Sequence, residues 1–213
     1  MLIRPPYALG SRLAISAQRL FGFDQDGLPQ LWVMTDPDRH ADMRALLEAT
    51  PPHCGFIYRH FGARNRLEVA QGLAALCRSR QIVFLVSSDL SLARAVGADG
   101  VHWPERMLAR AHSARGRGAT EIFTSAAHSH AALTRARSAG IDAAFLSPVF
   151  ASRSASATRP MGPRRVALMA RRVDLSIHAL GGVHKKTLAR LADRGLAGIA
   201  MVDGIRSEPM TRT

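Results

Sequence analysis

The sequence predicts an α/β protein of the (β/α)8 TIM-barrel class. Three observations carry this reading. Short apolar runs recur eight times, stretches with helical spacing lie between them, and glycines close several of those stretches. Repeated strand–helix alternation calls for a parallel sheet with helices outside it. Right-handed crossovers then allow an open doubly wound sheet or a closed barrel, and a count of eight favours closure.

The apolar runs are Leu31–Met34, Gly55–Tyr58, Ile82–Val86, Gly100–Trp103, Ile122–Thr124, Ala143–Leu146, Ile177–Leu180 and Gly198–Val202. Their Val, Ile, Leu and aromatic content suits buried strands. The helical stretches are Ala41–Glu48, Arg66–Arg80, Leu90–Val96, Met107–Ala114, Ser129–Ala139, Arg164–Arg171 and Lys185–Arg194. Gly97, Gly140 and Gly195 stand where helices stop, since glycine adopts the left-handed cap without a Cβ clash. Residues 1–30 read as an N-terminal extension rich in Pro and Gly, with a short helical stretch from Ser11 to Phe21. Residues 31–213 read as one barrel domain.

Composition narrows the function classes. The 213 residues are 47% apolar and 21% charged, which excludes disorder or low complexity over the whole chain. No apolar run approaches the roughly 18 residues a membrane span needs. Two cysteines, Cys54 and Cys77, make no disulfide scaffold and no zinc motif, so a reducing cytoplasm is expected. The net charge is +13, carried by arginines with only two lysines, Lys185 and Lys186. The arginines are scattered along helices, and aromatics are only 6%. That pattern reads as a solvated surface or an anionic small-molecule partner, not as a nucleic-acid face. Self-association is left open.

In a barrel, chemistry sits at the C-terminal ends of the strands. Gly181-Gly182 after the seventh run and Gly204 after the eighth let backbone N–H groups approach a phosphate. The polar loop after the sixth run, with Ser152, Arg153 and Ser154, supplies hydroxyls and a guanidinium for a lid over phosphates. Asp36 and Asp89 follow strands directly. Either could hold Mg²⁺, and Asp89 could equally cap the next helix. Ser125 and His128 follow the fifth run, where a histidine could move a proton near neutral pH.

Read in order, these residues resemble the thiamine phosphate synthase superfamily, which includes the TenI-type thiazole tautomerases. The matching stretches are Leu31–Asp36, Ala95–His102, Ser147–Phe150, Ala179–Val183 and Gly198–Ile205, spread over about four-fifths of the chain. The resemblance implies a thiamine phosphate synthase-like barrel that joins a pyrimidine methyl diphosphate to thiazole phosphate and releases diphosphate with Mg²⁺. It gives Arg59 the place of a diphosphate-facing arginine and Asp89 that of a magnesium ligand. Ser152 and Ser154 take the places of two loop threonines, and Gly182 and Gly204 those of a thiazole-phosphate cradle. The histidine matching His128 moves a proton in the tautomerase branch.

The departures from the family pattern fall on ligand-facing positions. The glutamine and lysine flanking the family arginine are Ile57 and Phe61. The asparagine and arginine beside the magnesium aspartate are Ser88 and Leu90. The second magnesium aspartate falls at Met107, with Glu105 near. The serine two before the family histidine is Ala126, next to Ser125. The loop lysine is Ala155, and the last phosphate-site serine is Asp203. The reading is therefore a synthase, with a tautomerase or a non-catalytic phosphate-ligand-binding paralogue as alternatives.

Overall fold

In a computed structural model of the chain, described for residues 16–17, 27–62, 64–152 and 159–202, eight parallel strands close into a barrel in sequence order. They are β1 (Leu31–Met34), β2 (Gly55–Tyr58), β3 (Val83–Ser87), β4 (Gly100–Trp103), β5 (Ile122–Ala127), β6 (Ala143–Leu146), β7 (Ser176–Ala179) and β8 (Gly198–Met201). Pairing of Leu31, Trp32 and Val33 with Ile199, Ala200 and Met201 closes the ring. Between the strands lie α1 (Met43–Glu48), α2 (Arg66–Ser79), α3 (Leu90–Val96), α4 (Leu108–Gly116), α5 (His130–Ser138), α6 (Pro163–Ala170) and α7 (Lys185–Leu188).

The helix boundaries follow from caps. Asp42, Asp89 and Ser129 accept N–H groups of the first turns of α1, α3 and α5. Gly97 ends α3 in the left-handed conformation, at φ 65°. Two elements differ from expectation by three residues or more, the others by at most two. β5 runs on to Ala127, three residues past the expected end. The last helix stops at Leu188 and continues as a 3-10 turn over Ala189–Leu191. Leu188 and Leu191 are both buried, and their spacing of three suits the tighter turn. Of the N-terminal helical stretch only Ser16 and Ala17 are described, with Ala17 buried in the outer core.

Strand residues alternate between two cores, as the period of two requires. Leu31, Val33, Phe56, Phe84, Val101, Phe123, Leu146 and Ile199 face the helices. Trp32, Met34, Ile57, Leu85, Phe145 and Ala200 fill the barrel. The Trp32 ring meets Phe145 edge-on at 5.6 Å and His178 at 6.3 Å. A methyl group on Gly55 would overlap that indole, so the pleat of β2 leaves room only for hydrogen.

Two buried histidines complete the interior. His178 Nε2 lies 3.0 Å from the Pro29 carbonyl, and because a carbonyl only accepts, this nitrogen carries the proton. His102 Nδ1 lies 3.0 Å from Thr124 Oγ1. Burial pushes His178 down to about 4. Burial, with Arg59 nearby, pushes His102 down to about 3.

Two predictions follow from this interior. Gly55→Ala should lose about 1–3 kcal/mol by overpacking. Gly72→Ala, in α2 with open space around it, should instead gain about 0.5–1 kcal/mol. Urea unfolding of both variants checks the contrast. The second prediction concerns acid. An unfolded histidine protonates near pH 6.5, whereas the folded pair stays neutral. Stability is therefore full above about 6.5 and falls as pH drops toward about 4 for His178 and about 3 for His102. His178→Gln should shallow that loss by about 1 kcal/mol per pH unit, read from urea midpoints at about pH 7 and about pH 5.

Candidate active site

The C-terminal mouth is assembled from the ends of β1, β2 and β3 on one side and of β5, β6 and β7 on the other. On the first side Asp36 follows β1. Its Oδ1 accepts the Asp38 N–H at 3.1 Å, and its Oδ2 faces Arg39 Nε at 3.7 Å and Arg59 Nη2 at 4.0 Å. Arg59 follows β2. Its backbone N–H donates to the buried Thr35 hydroxyl at 2.8 Å, and its Nη1 lies 3.7 Å from the Met34 sulfur inside the barrel. Burial pulls the Arg59 guanidinium below its ordinary value, Asp36 raises it, and Arg39 lowers it. Arginine remains charged through such shifts. This is a half-buried cation that shares one carboxylate with a second arginine.

At the end of β3, Asp89 caps α3. Its Oδ1 accepts the Leu92 N–H at 2.9 Å. Its Oδ2 accepts Arg66 Nη1 at 3.1 Å, and Arg66 Nη2 donates to the Ser87 carbonyl at 2.7 Å. Ser88, between them, holds a left-handed backbone at φ 66°. Sequence reasoning did not single out Arg66. One signal was present, because a cation in the first turn of a helix opposes the helix dipole.

On the second side, His128 is exposed, and its Nδ1 lies 3.0 Å from the Ser147 carbonyl and 3.3 Å from the Ser147 hydroxyl. The carbonyl can only accept, so Nδ1 carries the proton and a neutral His128 presents its Nε2 lone pair. Ser147, also missed as a partner, fixes this tautomer. Gly181 and Gly182 have φ of +88° and +65°. A Cβ at Gly181 would press on Pro148, and one at Gly182 on Phe150 and Ala151. These glycines are thus required for the β6 and β7 loops to touch. Ser152, on the same β6 loop, is partly exposed. Arg153, Ser154 and Gly204 lie outside the described residues.

Ser125 is corrected by the register of β5. Phe123 and Ala127 belong to the outer core, and Thr124 meets His102 inside the barrel. Ser125 therefore points to the helix layer, fully buried, and does not line the mouth.

The Asp89 carboxylate has no oxygen free for a magnesium ion. One Asp89 oxygen caps a helix and the other pairs with Arg66. Glu105 accepts Arg135 at 2.7 Å. Among the described residues no three His, Cys, Asp or Glu side chains converge. The two cysteines are buried and free, and burial pushes both thiols up to about 12, which makes them poor nucleophiles. Among the described residues no helix is long and apolar enough to cross a membrane.

A thiamine monophosphate synthase family model matches residues 36–205, most of the chain and the whole ring from the end of β1. The chain belongs to the thiamine monophosphate synthase family. It is 31% identical over 147 residues to the thiamine-phosphate synthase of Synechococcus sp. (strain WH7803), covering 69% of this chain and 42% of that protein. It is 28% identical to the thiamine-phosphate synthase of Chlorobium luteolum, covering 67% of this chain and 68% of that one. The chain spans 30% of the bifunctional ThiED protein of Geobacter sulfurreducens, so several relatives are much longer than the part matched here. A solved thiamine phosphate pyrophosphorylase from Pyrococcus furiosus superposes with a TM-score of 0.71 at 23% identity, over 84% of this chain and 87% of that one. That superposition supports the family's barrel fold.

Proposed function

We propose that this chain joins hydroxymethylpyrimidine diphosphate to thiazole phosphate. The methylene C–O bond breaks, its electron pair leaves with diphosphate, and the thiazole nitrogen lone pair forms the new C–N bond. The observation that carries this reading is Arg59, a guanidinium withdrawn into the mouth and only partly neutralised by Asp36. A fixed cation in a partly desolvated site stabilises charge on a departing diphosphate without reorganising when the bond breaks. Gly181 and Gly182, on the opposite rim, would receive the thiazole phosphate through backbone N–H groups. Family membership supports both substrates. The partners are thus small phosphorylated heterocycles, and the buried free thiols fit a reducing cytoplasm.

A second reading, a TenI-type thiazole tautomerase, is favoured by His128, whose pinned Nδ1 leaves Nε2 ready to take a proton.

Thiamine phosphate formed from the two substrates, followed as fluorescent thiochrome, separates these readings. The synthase reading expects product from the purified chain. It expects a loss of at least about 100-fold in kcat/KM for Arg59→Ala, recovered poorly by Arg59→Lys because lysine lacks the planar fork. His128→Gln should keep most of the rate. No thiochrome, with thiazole-ring isomerisation abolished in His128→Gln, would establish the tautomerase instead. Ligand binding without either turnover would establish a binding-only paralogue.

A further inference from the structure

We propose that Arg66, and not a divalent metal, is the second cation of the diphosphate subsite, so that this chain holds a diphosphate group without magnesium. The choice of diphosphate rests on the synthase reading above. The cation assignment rests on geometry at the ends of β2 and β3.

Arg66 is fastened in place by two hydrogen bonds, to the Asp89 carboxylate at 3.1 Å and to the Ser87 carbonyl at 2.7 Å. A magnesium ion at Asp89 would need an oxygen already given to Arg66 or to the α3 cap. It would also bring two like charges together. Magnesium demands near-octahedral oxygen coordination at about 2.0–2.1 Å. Among the described residues, Glu105 is likewise paired with Arg135, and Asp36 Oδ2 lies 3.7 Å from Arg39 and 4.0 Å from Arg59.

The unmatched atoms point the same way. Arg66 Nε and the Ser88 hydroxyl are buried and have no hydrogen-bond partner among the described residues. Ser88 follows β3, next to the Ser87 carbonyl that holds Arg66. Buried polar atoms left unmatched are costly, so each calls for a partner. Arg66 Nε can only donate, and the Ser88 hydroxyl can donate. Phosphate oxygens accept from both, whereas a cation finds no ligand in a guanidinium. Ser88 stands where the family has asparagine, and its strained backbone fits a site shaped for a ligand.

The test is calorimetric binding of inorganic pyrophosphate to the full chain, in EDTA and in Mg²⁺. The proposal expects affinities in the two buffers within about threefold. Arg66→Gln should weaken binding at least tenfold, with far-UV circular dichroism confirming folding. Asp89→Asn keeps a good helix cap but removes the carboxylate. It should retain or tighten binding, since it frees Arg66, whereas a metal ligand would lose it. Binding that appears only with Mg²⁺ and vanishes in Asp89→Asn would overturn the metal-free assignment while leaving the synthase reading intact. No pyrophosphate binding in either buffer would overturn the synthase reading together with the assignment.

Discussion

Trp32 fills the barrel, and the mouth is built on what that filling allows. A fully buried indole removes about 150–250 Å² from water, worth about 4–6 kcal/mol at roughly 25 cal/mol per Å², less about 1–3 kcal/mol for its buried N–H, unmatched among the described residues. An exposed ion pair contributes about 0–1 kcal/mol, so the interior rings outweigh any single surface contact. The indole needs Gly55 on β2 and rests against Phe145 and His178. One pleat above it on β1 stands Met34, whose sulfur lies beside the Arg59 guanidinium. The packed ring stack thus gives the buried cation a floor, and Thr35 fixes the backbone that carries it.

The arginine excess has two uses. Much of it ties adjacent elements together. Arg115 donates to the carbonyls of Ala119, Glu121 and Gly140 and pairs with Asp142. Arg80 donates to the carbonyls of Glu48 and Thr50, and Arg137 to Asp174. A planar fork with five donors serves several acceptors at once, which lysine cannot do. The other use is at the mouth, where Arg39 and Arg59 lie near Asp36 and Arg66 pairs with Asp89. The same residue type staples the scaffold and leaves a cationic remainder where an anionic substrate would sit.

The barrel was legible in the sequence because period and punctuation repeat eight times. The most specific stretch, Ala95–His102, proves to be largely architectural. Gly97 stops α3, and Asp99 accepts the Phe84 N–H at 2.7 Å at the start of β3. Asp142 does the same for Phe123. These ties lie at the N-terminal ends of the strands, the face that serves stability in a barrel. Likeness in that stretch was therefore carried by scaffold, while Ser147–Phe150 and Ala179–Val183 carried it into the mouth. Ser125 was misplaced for a simple reason. Ending the fifth strand at Thr124 made Ser125 a loop residue, whereas three more paired residues, Ser125 to Ala127, turn it to the helices. Arg66 and Ser147 were not visible because their partners lie 23 and 19 residues away and meet them only in the fold.

The central claim is that the anionic group of the substrate sits on guanidiniums at the ends of β2 and β3. A crystal structure of the chain with pyrophosphate, grown in EDTA, tests it most directly. The account predicts the anion within hydrogen-bond distance of the Arg59 and Arg66 side chains. Pyrophosphate found only elsewhere, such as the outer groove lined by Arg94, Arg110 and Arg117, with Arg59 and Arg66 untouched, would contradict it.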